Sequence, residues 1–271
     1  MRLTVIGCGT SQPQPDTPAS GLLVESGDTR VLLDCGQGVI SRLQHRIDPR
    51  TLTAVIVGHL HADHYIDLVG LRYLFPWGER VENRLPVHLP PGGRDHMTSL
   101  AAAISERPTF FDDSYEISDY RPDASFSVGE LRARVIAGLH YVPAWGVELT
   151  DGAGRRIVYA GDTGPNDELV RIAQGADLFI CEATLASAAH DDPRRGHLTA
   201  DEALDIGAAA GVGQTVLVHY ASARRAAIQE IVAARDVVAQ VAVPDLQVTV
   251  GEEDPAASGR LTPRVARVRV G

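Results

Sequence analysis

The chain is poor in cysteine and contains no long hydrophobic run. It has 3 Cys in 271 residues, at positions 8, 35 and 181, and none form a CxxC pair. An odd number of widely spaced cysteines argues against a disulfide framework and fits buried thiols in a reducing compartment. No apolar stretch approaches the roughly 20 residues of a membrane span. Residues 1–6 are too short for a signal-peptide core, so we expect a cytoplasmic protein that does not enter a membrane.

Positive charge is also scarce relative to negative charge. The chain carries 25 Lys and Arg against 35 Asp and Glu, a formal net charge of −10. This balance argues against a broad basic face for nucleic acid or anionic membrane, although a local patch is compatible with it. No internal repeat, low-complexity tract or clear linker interrupts the sequence. The length is sufficient for a full core, and we expect one domain over residues 1–271.

Four side chains that bind metals well fall within six residues. His59, His61, Asp63 and His64 come directly after the short apolar run 54–57, which predicts a buried strand. His59 and His61 are two positions apart, so in extended geometry they point the same way and can share one ion. Asp63 and His64 can reach a second ion. Imidazole and carboxylate suit Zn²⁺ and similar ions, and solvated loop residues would rarely show this spacing by chance.

The rest of the sequence alternates predicted strands with predicted helices. Hydrophobic patterns predict strands at 3–6, 22–24, 30–34, 54–57, 86–90, 131–136, 147–149, 156–160, 177–181, 214–218 and 246–250. They predict helices at 39–47, 64–74, 93–105, 166–173, 200–210 and 223–238. Many strands with helices outside them indicate a layered α/β sandwich.

Three local features complete the prediction. Thr199 and Glu202 have the spacing of a capping box at the start of a helix. Residues 106–125 are irregular and rich in Asp, Ser, Pro and aromatics, so we expect a mobile segment and a rim of the active site. The alternating residues 267–270 either add an edge strand or remain loose.

Three more donor residues, His140, Asp162 and His219, stand at or just past the ends of predicted strands. Each alone would be read as a capped or hydrogen-bonded structural residue. If the strands lie in facing sheets, their ends meet at one rim, and a carboxylate can bridge two ions through its two oxygens. The predicted groups are His59, His61 and His140 for one ion, Asp63, His64 and His219 for the other, and Asp162 between them.

These motifs together resemble the metallo-β-lactamase superfamily. The likeness rests on the 59–64 cluster, on Gly161-Asp162-Thr163 and on His219, and it covers nearly the whole chain. Further segments resemble the ribonuclease Z-like branch, which includes cyclic-nucleotide phosphodiesterases: residues 140–146, 157–163, 181–184 and 196–200. The flavodiiron branch carries an acid at the position of His61, so the resemblance does not extend to that branch. The resemblance implies a four-layer αββα sandwich with a dinuclear metal site at one rim.

The resemblance also implies phosphodiester hydrolysis by a hydroxide held between two divalent metal ions, with zinc as the first choice and manganese as the alternative. Asp63 would be both a ligand and a proton acceptor. His197, paired with Glu182, would protonate the leaving oxygen, since a carboxylate raises the pKa of a neighbouring histidine. Without the resemblance, Glu182 could equally be a salt-bridged core residue and His197 a loop residue. The branch often forms homodimers, and we expect one here.

One departure affects the expected substrate. Processing ribonucleases of this branch carry a long arm that grips transfer RNA, whereas here His140 and Asp162 are only 22 positions apart. With the acidic net charge, this favours a small or cyclic nucleotide, because binding a phosphate backbone needs clustered Lys and Arg. Arg194 and Arg195 could bind one or two phosphates, so transfer RNA 3′-processing is the alternative. Lactone or thioester hydrolysis, or a metal-holding module without turnover, are further alternatives.

Overall fold

The computed structural model of the chain describes residues 1–77, 80–186 and 195–251. Within these residues, fourteen strands form two sheets of seven strands each. The segment 267–270, for which an edge strand was one expectation, lies outside the described residues. None of the described helices is long and apolar enough to cross a bilayer.

The first sheet combines the start of the chain with its last described strand. Its strands are β1 (Arg2–Gly7), β2 (Gly21–Ser26), β3 (Thr29–Leu33), β4 (Ala54–Ile56), β5 (Leu85–Leu89), β6 (Tyr115–Asp119) and β14 (Gln247–Thr249). They lie in the order β14-β1-β2-β3-β4-β5-β6. Pairing is antiparallel from β14 to β3 and parallel from β3 to β6. The interior strand β4 is fully buried, as expected for a strand covered on both faces.

The second sheet has the same size and a similar mixture of pairings. Its strands are β7 (Ser125–Val128), β8 (Leu131–Ala137), β9 (Trp145–Thr150), β10 (Arg156–Tyr159), β11 (Leu178–Glu182), β12 (Thr215–Val218) and β13 (Ala239–Val241). They lie in the order β13-β12-β11-β10-β9-β8-β7. Pairing is antiparallel from β7 to β10 and parallel from β10 to β13.

Helices cover the outer faces of both sheets. They are α1 (Val39–Leu43), α2 (Ala62–Tyr65), α3 (Asp67–Arg72), α4 (Gly93–Ile104), α5 (Asp167–Ala173), α6 (Ala200–Ala210) and α7 (Arg225–Ala233), with 3₁₀ turns at Pro49–Thr51 and Ser222–Arg224. Alternate residues of a strand face opposite sides: Leu22 and Val24 enter the core shared by the two sheets, whereas Leu23 packs with α1, α3 and α4. Helices α5 to α7 pack on the second sheet. This arrangement confirms the αββα sandwich.

One prediction about local structure is confirmed, and another is corrected. The predicted capping box is present, since the Glu202 amide donates to Thr199 Oγ1 and the Thr199 amide donates back to the Glu202 carboxylate. The expectation that 106–125 is irregular is corrected in part, because residues 115–119 form β6 and the turns before it bury Phe110 and Phe111. These aromatic residues bury apolar surface, although Asp and Ser interrupt the hydrophobic pattern; the expected mobility stays a prediction.

Three predicted helices are shorter or divided in the structure. The helix predicted at 39–47 ends at Leu43. The helix predicted at 64–74 is divided into α2 and α3, because the Cys35 amide donates to the His64 carbonyl and the Asp67 amide donates to the Cys35 carbonyl. These peptide groups are therefore partly engaged outside the helix. The helix predicted at 223–238 ends at Ala233, and residues 239–241 form the edge strand β13.

Candidate metal centre

The ends of several strands meet at one rim of the sandwich and bring the predicted donors together. His59 and His61 follow β4, Asp162 follows β10, and His219 follows β12. His140 lies in the turn between β8 and β9. Five overlapping groups of donor atoms, each within 4.8 Å of one another, involve His59, His61, Asp63, His64, His140, Asp162, Glu182, His197 and His219. Every predicted site residue is therefore at this rim.

Three histidines form the first group of donors. His59 Nε2 lies 3.1 Å from His61 Nδ1, and His61 Nδ1 lies 3.0 Å from His140 Nε2. The three rings meet nearly edge to face, with centroids 4.8 to 4.9 Å apart. Three ring nitrogens this close together match the three protein ligands of a catalytic zinc site, which leaves the fourth position for water or substrate.

The second group contains Asp63, His64 and His219, and Asp162 lies between the two groups. His219 Nε2 is 3.3 Å and His64 Nε2 is 3.6 Å from Asp63 Oδ2. Asp162 Oδ2 is 3.4 Å from both of these histidine nitrogens. The same oxygen is 3.9 Å from His59 Nε2 of the first group. A carboxylate in this position can contact ions held by either group.

The burial and pairing of these atoms test whether a metal fits. His64 Nε2 and Asp162 Oδ1 are buried and have no hydrogen-bond partner among the residues that the structure describes. An unpaired buried polar atom costs about 1–3 kcal/mol, so both atoms would gain from a ligand. Burial lowers the pKa of His59, and the nearby His64 lowers it further, which favours the neutral imidazole that binds metal. The donor set therefore fits divalent cations.

The pKa values of His64 and Asp162 are shifted in opposite directions by their neighbours. Burial opposes ionisation of His64, but Asp162 and Asp34 outweigh it and hold the pKa of the imidazole well above its usual range. Burial also opposes ionisation of Asp162, but His219 and His64 hold its pKa well below the usual range. A metal that binds to His64 must therefore displace a proton, and its affinity should fall with decreasing pH.

A second layer of hydrogen bonds orients the donor histidines. His64 Nδ1 is 2.7 Å from Asp34 Oδ2, which also accepts the Tyr159 hydroxyl at 2.8 Å. Asp34 Oδ1 accepts the amide of Gly58, the residue that precedes His59, at 2.8 Å. The carboxylate is buried and its backbone is left-handed, with φ of 60°. Asp34 thus fixes both a donor ring and the loop that carries the first cluster.

Two other donor histidines have comparable partners. His140 Nδ1 lies 2.7 Å from the carbonyl oxygen of Gly196, and His219 Nδ1 lies 2.8 Å from Thr184 Oγ1. Sequence reasoning missed Asp34 and Thr184 as supporting residues. Asp34 carried a signal, since it closes a predicted strand as the other donors do. Thr184 belongs to the segment 181–184 that resembles the ribonuclease Z-like branch, but nothing in that segment assigned it a role.

His197 and Glu182 form a pair beside the donor groups. His197 Nδ1 lies 2.9 and 3.1 Å from the two Glu182 carboxylate oxygens and 3.9 Å from Asp162 Oδ2. Glu182 is fully buried and also accepts the Thr163 amide at 2.8 Å. Burial opposes protonation of His197, but the hydrogen bond and charge of Glu182 raise the pKa of the imidazole above its usual value. The pair is suited to hold and deliver a proton.

Arg195, one of the two arginines expected to bind phosphate, pairs with a carboxylate of the protein. The Arg195 guanidinium contacts the Glu202 carboxylate at the start of α6, and its side chain is only 10% exposed. Its charge is therefore largely compensated within the protein. Arg194 lies outside the described residues.

Comparisons with known proteins identify the family to which the fold belongs. A family model described as a β-lactamase superfamily domain matches residues 29–220. An uncharacterized protein of Mycobacterium leprae is 39% identical over 225 residues, which cover 81% of this chain and 77% of that protein. The probable metallo-hydrolase YhfI of Bacillus subtilis is 30% identical over 222 residues, covering 81% of this chain and 86% of YhfI. A ribonuclease Z of Ignicoccus hospitalis is 29% identical over 273 residues, covering 82% of this chain and 88% of the relative.

Solved structures show the same architecture. The crystal structure of Bacillus subtilis YhfI, described as a metallo-β-lactamase fold protein, matches with a TM-score of 0.79 and 25% identity, covering 92% of this chain and 99% of that chain. Human tRNase Z, short form, matches with a TM-score of 0.74 and 22% identity, covering 93% of this chain and 100% of that chain. At this identity the match shows a similar fold alone. The chain belongs to the metallo-β-lactamase superfamily of metal-dependent hydrolases.

Proposed function

We propose that the chain is a phosphodiesterase that uses two divalent metal ions, zinc as first choice and manganese as the alternative, on a small or cyclic nucleotide. The observation that carries the proposal is the grouping of seven donors into two sets of three with one carboxylate between them. The two sets are His59, His61 and His140, and Asp63, His64 and His219, with Asp162 between them.

The residues around the two sets suit hydrolysis of a phosphodiester. Two divalent ions at this position would activate water at neutral pH and offset the negative charge of the phosphate. Asp63 would accept the proton of the attacking water. His197, whose pKa is raised by Glu182, would donate a proton to the alcohol oxygen as its bond to phosphorus breaks. The proton released at one side of the phosphate is thus matched by one supplied at the other.

The surroundings favour a small substrate over a large nucleic acid. Between His140 and Asp162 the chain forms only a turn, the hairpin of β9 and β10 and the end of β10, so no arm extends from this position. The net charge is −10, and the charge of Arg195 is compensated by Glu202. A backbone of many phosphates would require several uncompensated cations.

Metal analysis and a substrate panel test the proposal. Protein purified without chelators should contain about two transition-metal ions per chain. It should hydrolyse bis(p-nitrophenyl) phosphate or cyclic AMP with zinc or manganese. His140→Ala should lose metal and activity, whereas the matched control His45→Ala, at an exposed position, should retain both. Absence of turnover on every phosphodiester with both metals loaded would refute the proposal.

Transfer RNA 3′-processing is a second candidate, favoured by the ribonuclease Z relative from Ignicoccus hospitalis. It predicts cleavage of a precursor transcript after the discriminator base. It also predicts binding of that RNA that weakens steeply with salt. Failure to bind the precursor at low salt would exclude this candidate. Lactones and thioesters belong in the same substrate panel, because a two-metal centre can also activate water towards a carbonyl carbon.

We also propose that residues 1–271 form one domain and that the protein is a cytoplasmic homodimer. The two sheets share one core, which supports a single domain for the described part of the chain. Sedimentation equilibrium at micromolar concentration would test the dimer, and a mass of one chain would contradict it. Cell fractionation would test the compartment.

A further inference from the structure

Tyr141 is an exposed aromatic residue in contact with the candidate metal centre. Its side chain is 65% exposed, although its ring centroid lies 5.0 Å from that of His140 and 5.7 Å from that of His197. Single exposed aromatic residues are common on protein surfaces. This one differs because the two histidines it contacts are a proposed metal donor and the proposed proton donor.

The protein backbone supports one part of the Tyr141 ring. A Cβ atom placed on Gly196 would lie 3.0 and 3.1 Å from Cε2 and Cδ2 of Tyr141, so Gly196 packs closely against the ring. Gly196 is itself held by its carbonyl contact with His140 Nδ1, at 2.7 Å. The ring is thus braced by residues of the centre, while most of its surface remains open to solvent.

We propose that Tyr141 is a stacking platform for the planar base of a nucleotide whose phosphate occupies the metal centre. This inference rests on the proposed phosphodiesterase function and narrows its substrate to nucleotides. Bases stack on aromatic rings with little dependence on base identity. A ring braced beside His140 and His197 is placed to contact the nucleoside attached to the phosphate. Recognition of the base by stacking also needs no positive charge, which agrees with the acidic chain.

The test compares two ligands that differ only in the base. AMP and ribose 5-phosphate share the sugar and the phosphate, so the ratio of their dissociation constants isolates the base. Both are titrated calorimetrically into the zinc-loaded full chain. The wild-type protein should bind AMP about 5- to 150-fold more tightly than ribose 5-phosphate, the range expected for one stacked base.

Three variants distinguish stacking from other roles. Tyr141→Phe keeps the ring and should keep the ratio, whereas Tyr141→Leu should reduce it at least fivefold with the affinity for ribose 5-phosphate unchanged. Tyr73→Leu is the matched control, because Tyr73 is 61% exposed and stacks on Trp77 instead. It should leave the ratio at the wild-type value.

The outcomes separate this inference from the function on which it rests. A wild-type ratio near one, or a ratio unchanged in Tyr141→Leu, would overturn the stacking role while leaving phosphodiesterase activity intact. Equal loss of affinity for both ligands in Tyr141→Leu would also overturn it, since that result indicates damage to the centre. If neither phosphate binds the zinc-loaded wild-type protein, the proposed function fails and the stacking role fails with it.

Discussion

Replacing Asp34 by asparagine tests how far the second layer of hydrogen bonds controls the metal centre. The carboxylate accepts from the Gly58 amide, from the Tyr159 hydroxyl and from His64 Nδ1. An asparagine has the same shape, and its oxygen can still accept from Gly58. Its NH₂ group would then face His64 and Tyr159, which donate to the carboxylate in the wild-type protein. Tyr159 can rotate its hydroxyl, but His64 must change its protonation.

The expected consequence is a change of tautomer in His64. Facing an NH₂ group, Nδ1 becomes the acceptor and the proton moves to Nε2, the atom that lies 3.6 Å from Asp63 Oδ2 and 3.4 Å from Asp162 Oδ2. A protonated Nε2 cannot bind metal. Loss of such a supporting partner typically weakens metal binding about 10- to 100-fold, which corresponds to about 1.4–2.7 kcal/mol.

Competition with a chromophoric chelator would measure the effect on each ion. Asp34→Asn should lower the affinity for the ion held by Asp63, His64 and His219 by this factor. The affinity for the other ion should change less. Asp245→Asn is the matched control, because Asp245 also has a left-handed backbone, with φ of 74°, and pairs with Arg42 and Arg46. Wild-type affinity for both ions in Asp34→Asn would refute the reasoning about the tautomer. Equal weakening of both ions would indicate general disorder of the rim.

Three further predictions concern the proton donor, the backbone and the metals. Glu182→Gln removes the charge that raises the pKa of His197, so the alkaline limb of the kcat profile should move to lower pH; an unmoved limb would contradict the role of His197 as the acid. Gly36→Ala should abolish metal binding in a chelator assay, because its Cβ would lie 1.9 Å from the Asp63 carbonyl oxygen. Gly70 lies in helix α3, and a Cβ added to it would have no neighbouring atom within 4 Å in the described part of the chain beyond its own helix backbone. Gly70→Ala should therefore raise the free energy of unfolding by about 0.5–1 kcal/mol, measured by urea denaturation. Wild-type metal binding in Gly36→Ala, or a lower free energy of unfolding in Gly70→Ala, would contradict this reasoning. Chelation should lower the melting temperature, since a ligand at 100 times its Kd stabilises the folded state by about 2.7 kcal/mol per site; an unchanged melting temperature in calorimetry would argue against resident metals.

The local sequence determined the first part of the candidate site. The spacing of His59, His61, Asp63 and His64 needs no long-range information, because neighbouring residues on one loop are close in any fold. The sequence also predicted that His140 and His219 follow strand ends, since apolar runs predict strands and where they end. That these strand ends meet followed from the layered sandwich, which the structure confirms.

The tertiary structure decided which groups support the site and how some elements end. Asp34 acts through Gly58, Tyr159 and His64, residues up to 125 positions away in sequence, and no local pattern reports such a contact. The division of the helix after His64 has the same origin, because peptide groups there bond to Cys35.

Burial likewise depended on partners that are distant in the sequence. Residues 106–125 were expected to be irregular because their polar residues interrupt the hydrophobic pattern, yet Phe110, Phe111 and Tyr115 are buried against helices on the first sheet. The charge of Arg195 was expected at the active site, but the cap of α6 places Glu202 beside it. The sequence specified the chemical donors and the periodicity of the elements that carry them. Only the packed fold decided which charges meet, since that depends on contacts between segments that chain order does not relate.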